Sequence, residues 1–162
     1  MTKASFPASV LGVALALTAC VSINASVIER PAVDGVVLLN EANPALAALP
    51  RIEATATVHG QTHVFSGPTL IDVAALAATI QQPVRGADLG VVVVVIARDG
   101  YVAAFGVGEL DAATSGRTIL LADQVDGRPL PDSDGPWRVV VAGDTRGARM
   151  VRMVERIEVI QP

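Results

Sequence analysis

The chain has 162 residues, of which 51% are hydrophobic, 17% charged and 3% aromatic, with a formal net charge of −4 and one cysteine. That length suits one compact domain, the composition excludes a disordered chain, and a lone cysteine excludes a disulfide framework. An acidic chain with five aromatic residues lacks both the cationic surface that phosphate backbones require and the rings that bases stack on, so nucleic acid is not an expected partner.

At the N-terminus, Lys3 supplies a positive charge and Val10 to Ala19 an apolar run, too short to cross a bilayer as a helix but of the length of a signal-peptide core. Leu17-Thr18-Ala19-Cys20 closes the run and resembles a bacterial lipobox. The resemblance implies cleavage before Cys20 and acylation of its thiol and new amino group, giving a stable anchor of several chains. Residues 1–19 are then a lipoprotein signal peptide. The expected location is the bacterial cell envelope, on the periplasmic side, with the membrane a partner through the N-terminal lipid. The alternative is an ordinary signal peptide followed by a coincidental or buried thiol. Losing residues 1–19 removes Lys3 and leaves 143 residues with a charge of −5. Once Cys20 is lipidated, no thiol remains for redox work, metal ligation or nucleophilic attack.

Residues 20–50 contain Pro31, Pro44 and Pro50 and read as a lipid-anchored tether leading, through Gly35 to Leu39, into a first strand or edge segment. The folded domain is expected over 51–162. Arg51 to Val58 alternates polar and apolar, which predicts a strand with one buried face; His59-Gly60-Gln61 is a turn, and Thr62 to Phe65 returns as a second strand. After Ser66-Gly67-Pro68, Thr69 and Asp72 form a capping-box-like start to a helix. Its buried face is Leu70, Val73, Ala74, Ala77 and Ile80, and Pro83 stops it. This is the one helix the pattern supports strongly. Gly90 to Ala97 is β-branched with no polar position, which predicts a central strand buried on both faces. Asp99-Gly100 is a turn from which Tyr101 to Val107 pairs back, and a short turn follows at Glu109-Leu110-Asp111. Thr118 to Ala122 and Arg138 to Ala142 are further strands separated by a long Asp- and Pro-rich loop, and a turn near Met150 passes into a last strand. The fold class is α+β and sheet-rich.

Several blocks in this order resemble a known family. They are Phe65-Ser66-Gly67-Pro68-Thr69-Leu70 before a helix, Arg98-Asp99-Gly100-Tyr101, Asp126-Gly127-Arg128-Pro129-Leu130, Gly135-Pro136-Trp137-Arg138-Val139-Val140-Val141, and the closing Gly143-Asp144-Thr145-Arg146 with Val151-Arg152-Met153-Val154. Together they resemble the molybdopterin-binding domain of the sulfite oxidase family over residues 51–160. The resemblance implies a sheet-rich α+β fold. In catalytic members a cysteine thiolate binds molybdenum between blocks resembling Arg51 to Val58 and Phe65 to Leu70. Here that interval is His59-Gly60-Gln61-Thr62-His63, without cysteine, and oxygen or imidazole groups do not replace a soft thiolate.

By position, the resemblance makes Arg138, Arg146 and Arg149 the candidates for contacting a pterin phosphate, with Tyr101 and Trp137 as pocket-lining rings. The competing reading pairs these arginines with Asp132, Asp134 and Asp144 to order a loop, and places both rings in the core. Arg152 and Arg156 read as a solvated strand face. His59 and His63 lack a nearby carboxylate in sequence and do not make a convincing metal pair. Asp123, Asp126, Asp132 and Asp134 lack calcium-loop spacing and suit turns. No catalytic residue and no metal ligand is assigned. The expected function is an envelope lipoprotein acting as a binding or accessory module, with a protein partner in the envelope and no cofactor. The alternative is a molybdopterin-binding oxidoreductase component completed by a partner chain. Replacing Cys20→Ser is expected to abolish incorporation of labelled fatty acid; a variant that still takes up label refutes the lipobox.

Overall fold

The computed structural model describes residues 33–39 and 43–161; residues 1–19, expected to be a signal peptide, and Cys20 lie outside the described residues. Among the described residues, ten strands and four one-turn helices follow one another. They are β1 (Gly35–Leu38), α1 (Pro44–Ala47), β2 (Ile52–Val58), β3 (Gln61–Gly67), α2 (Leu70–Ala74), β4 (Val92–Ala97), β5 (Val102–Gly106), α3 (Val107–Leu110), α4 (Ala112–Ser115), β6 (Ile119–Ala122), β7 (Gln124–Val125), β8 (Arg128–Pro129), β9 (Arg138–Val141) and β10 (Val154–Ile160). The fold is sheet-rich α+β. One sheet runs β1-β10-β4-β5, a second runs β2-β3-β7-β8, and β6 pairs with β9 as a two-stranded ribbon.

That ribbon forms the middle layer, because β6 and β9 have no exposed position. Ile119, Leu121, Val139 and Val141 join the larger core with Val93, Val95, Phe105 and Ile157 of the first sheet. Leu120, Ala122 and Val140 face the other way and join Ala54, Ala56 and Phe65 of the second sheet. Alternation of side chains along a strand makes this double burial possible only where both parities are apolar.

The predicted hairpin is present, with Val58 opposite Gln61. His59 (φ 50°) and Gly60 (φ 79°) both take the left-handed backbone that a two-residue turn needs. Thr69 caps α2 through its hydroxyl, which accepts from the Asp72 N–H at 3.2 Å, and Leu70, Val73 and Ala74 are fully buried. The expected helix to Ile80 is nevertheless shorter. Beyond Ala74 the chain tightens into bonds such as Ala77 N–H to Ala74 O, and Ala77 presses on β1, where a Cβ at Gly35 would lie 2.1 Å from its carbonyl oxygen. The other three helices are single turns. Asp111 starts α4 and, although buried, is satisfied by the N–H groups of Val84 at 2.8 Å and Ala113 at 2.9 Å. Those two bonds, Val84 first, hold its carboxyl below the usual range.

Two expectations need correction. The domain does not begin at residue 51: β1 pairs with β10 from Gly35 to Leu38, and Leu46 of α1 lies in the larger core. The edge strand expected at Gly35 to Leu39 is thus present at Gly35–Leu38, but it belongs to the folded domain rather than to a tether, because its partner is a strand more than a hundred residues away. In β4, Val93 and Val95 are fully buried, whereas on the other face Val92 and Val94 are only half-buried and Ile96 is buried, so the run is central in its sheet yet only partly covered on its second face.

Gly67 in β3 lies against β6, where a Cβ would stand 2.2 Å from the Leu121 carbonyl oxygen. Gly67→Ala is therefore expected to destabilise by about 1–3 kcal/mol through backbone displacement, read as a fall in Tm of several degrees; an unchanged Tm refutes this close approach.

Candidate functional site

Arg138 opens β9 on the same parity as Val140, so it points to the side of the ribbon that carries Phe65. Its guanidinium lies 5.6 Å from the Phe65 ring centroid and Nη1 is paired with Asp134. Only 6% of the side chain is exposed, and the buried Nε has no hydrogen-bond partner. Trp137, on the opposite parity, packs against the larger core, with its buried Nε1 also unpartnered.

Arg138 borders a cleft of about 910 Å³ between the tip of the β2–β3 hairpin and the chain after β9. Thr55, Thr57, His59, Thr145 and Arg152 also line it, with the backbone of Gly143 and Gly147. Asp134 lies between two guanidinium groups, since Arg152 Nη1 is 3.6 Å from its second oxygen. One carboxylate thus faces two cations. The Asp144 carboxylate, although it borders the cleft, is spent elsewhere. It accepts from Arg149 Nε at 3.0 Å and Nη2 at 2.9 Å, and from Arg117 at 3.4 Å.

The five sequence-chosen residues do not converge. Arg149 is a clamp: besides Asp144 it binds Glu109 at 2.7 Å and lies 5.4 Å from the Phe105 ring centroid. Asp144 first and then Glu109 hold it above the usual arginine value, and it does not line the cleft. The loop-ordering reading describes it correctly. Arg146 is exposed between Thr145 and Gly147 and makes no ion pair among the described residues. Tyr101 is half exposed, gives its hydroxyl proton to the Ala148 carbonyl at 2.8 Å, and borders a separate 200 Å³ pocket. Trp137 borders another, of about 560 Å³. Only Arg138 reaches the large cleft.

Two placements were not anticipated, one in the cleft and one outside it. Arg152, read as strand surface, lines the cleft because the turn at Gly147–Arg149 redirects the chain before β10; no local spacing announces this. His63 does have a carboxylate partner, Asp126, whose Oδ2 lies 2.7 Å from Nδ1. The pair is 63 positions apart and is made by the β7–β8 turn, where Asp126 has φ 49° and also accepts from the Val64 N–H at 3.0 Å. Among the described residues, no three His, Cys, Asp or Glu side chains are grouped to hold a metal ion.

His63 first, and then the Val64 N–H, lower the Asp126 pKa. A carboxyl depressed on folding adds stability above its unfolded pKa, about 3.9, that is lost as pH falls through the folded value. Asp126→Asn should therefore reduce the difference in stability between neutral and strongly acidic pH, measured by denaturant unfolding at each; equal pH dependence in both proteins refutes the pairing.

Compared with known proteins, the chain matches no family model and no curated sequence.

Proposed function

We propose that the chain is a lipid-anchored envelope protein on a sulfite-oxidase-like molybdopterin-binding scaffold. In this reading it is a binding or accessory module that holds a phosphate-bearing anion in the Arg138 cleft without transforming it. One observation carries the reading: two guanidinium groups, Arg138 and Arg152, share the single carboxylate of Asp134 beside a 910 Å³ cleft. The pair leaves a local excess of positive charge in an otherwise acidic protein, and guanidinium forks suit phosphate oxygens. Arg138 is held rigidly by Phe65 and Asp134, so little side-chain freedom is lost when an anion binds. The Thr55, Thr57 and Thr145 hydroxyls add neutral donors at the rim.

These donors fit the phosphate of a pterin cofactor but not its metal. The hairpin tip at the cleft presents His59 and Gly60 where the resemblance places a thiolate, and imidazole is a poor substitute for a soft anionic ligand. No redox step follows from these residues. The second reading, an oxidoreductase component completed by a partner chain, is favoured by the cleft's volume, which lies within the span of cofactor sites; the partner would supply the soft ligand.

Pyrophosphate titrated calorimetrically into the intact protein should bind, and Arg152→Gln should weaken binding at least tenfold without unfolding the domain, because Arg152 is exposed. Arg138→Met should abolish it. Absence of pyrophosphate binding overturns the anion site. Stoichiometric molybdenum or pterin fluorescence in protein purified from a molybdenum-replete host overturns the accessory reading in favour of the oxidoreductase component.

A further inference from the structure

We propose that the domain carries a second, separate ligand site, for a zwitterion that joins a primary ammonium and a carboxylate to an apolar side chain: a free amino acid or a short peptide. The site is the pocket of about 560 Å³ bordered by Arg98, Pro129, Leu130, Asp132, Pro136 and Trp137. It shares no lining residue with the Arg138 cleft, because Trp137 and Arg138 are neighbours in sequence and point to opposite sides of the ribbon.

Two charges that border this pocket are unspent. Among the described residues, neither Arg98 nor Asp132 makes an ion pair or a side-chain hydrogen bond, and both are exposed. Although they border one pocket, they do not close on each other, so more than the 4.0 Å of an ion pair separates them. The other carboxylate, Asp123, is already taken by Arg51, whose Nη1 lies 3.0 Å from it. One free cation and one free anion therefore remain, with the half-buried Trp137 indole, Leu130 and two prolines supplying apolar wall.

Backbone bonds fix this arrangement. The Arg98 N–H donates to Met153 O at 2.9 Å, the Met153 N–H to Asp134 O at 2.8 Å, and the Val154 N–H to Trp137 O at 2.9 Å, so the β4–β5 turn is tied to the loop that carries the indole. Asp132 lies in a turn closed by the Asp134 and Gly135 N–H groups on Pro131 O, at 2.9 and 2.8 Å. A ligand with one charge of each sign satisfies Asp132 with its ammonium and Arg98 with its carboxylate. Being neutral overall, it meets no long-range repulsion from an acidic protein. The pocket volume falls in the range of small-molecule sites, and an apolar ligand side chain packs against Trp137.

Trp137 is the only tryptophan and borders this pocket, so its emission in the full chain responds to occupancy there, and pyrophosphate competition separates that response from the neighbouring Arg138 cleft. Titration with L-leucine and with Leu-Leu is expected to give a saturable change, the stronger ligand distinguishing a free amino acid from a peptide. N-acetyl-leucine, which lacks the ammonium, and leucinamide, which lacks the carboxylate, should each bind at least tenfold more weakly. Asp132→Asn should erase the discrimination against N-acetyl-leucine, and Arg98→Gln the discrimination against leucinamide. The proposal is overturned if neither L-leucine nor Leu-Leu changes the emission at millimolar concentration. It is equally overturned if all four compounds respond alike, if both variants discriminate as the parent does, or if pyrophosphate competes the leucine signal away, which would assign it to the Arg138 cleft.

Discussion

The β6–β9 ribbon must be apolar on both faces, and the rest of the fold is arranged around that constraint. A two-stranded ribbon has no face of its own to hide, so it is stable only when a layer covers each side. Here β4 and β10 cover one side and β2 and β3 the other, which divides the buried side chains into a larger and a smaller cluster. Close approach of β3 to β6 requires Gly67, since its Cα lies where a side chain would strike the Leu121 carbonyl. The helices, each a single turn, serve as corners between strands rather than as packing layers.

The candidate sites lie where this ribbon ends. At the start of β9 the buried parity pattern meets the loop after β8, and the two residues at that junction, Trp137 and Arg138, emerge on opposite sides. Arg138 is held inside the protein by its ion pair with Asp134 and by the face of Phe65, a partly desolvated setting in which losing one partner is costly. Arg149, in the turn after β9, spends its guanidinium on Asp144 and Glu109 and rests on Phe105. The contrast between chemically identical side chains lies in their partners: Arg149 meets two carboxylates, whereas Arg138 and Arg152 share one, which is the basis of the proposed anion site.

Much of the secondary structure was legible because its signals are local. The alternation of Arg51 to Val58, the two left-handed turn residues His59 and Gly60, the Thr69 cap and the β-branched run of β4 each act within a few residues. Errors arose where a distant surface intervened. The helix after Thr69 is shorter than its apolar period suggests, and beyond it Ala77 meets the backbone of β1; β1, expected as a tether-side edge segment, joins the domain through β10. Of the residues singled out for a site, Arg138 borders the large cleft, Tyr101 and Trp137 border other pockets, and Arg149 does not line the large cleft.

The sequence by itself determined the α+β class, the hairpin turns, the centre of the first sheet and the acidic balance of the chain, because dihedral preference, hydrophobic period and charge are properties of neighbouring residues. Only the tertiary structure decided which charges remain free. Asp126 meets His63 across 63 positions and Arg51 meets Asp123 across 72, pairings set by sheet register and chain reversal. Whether an arginine is a ligand contact or a structural clamp depends on how many carboxylates the fold brings within reach, and that number is fixed only when strands far apart in sequence are packed together.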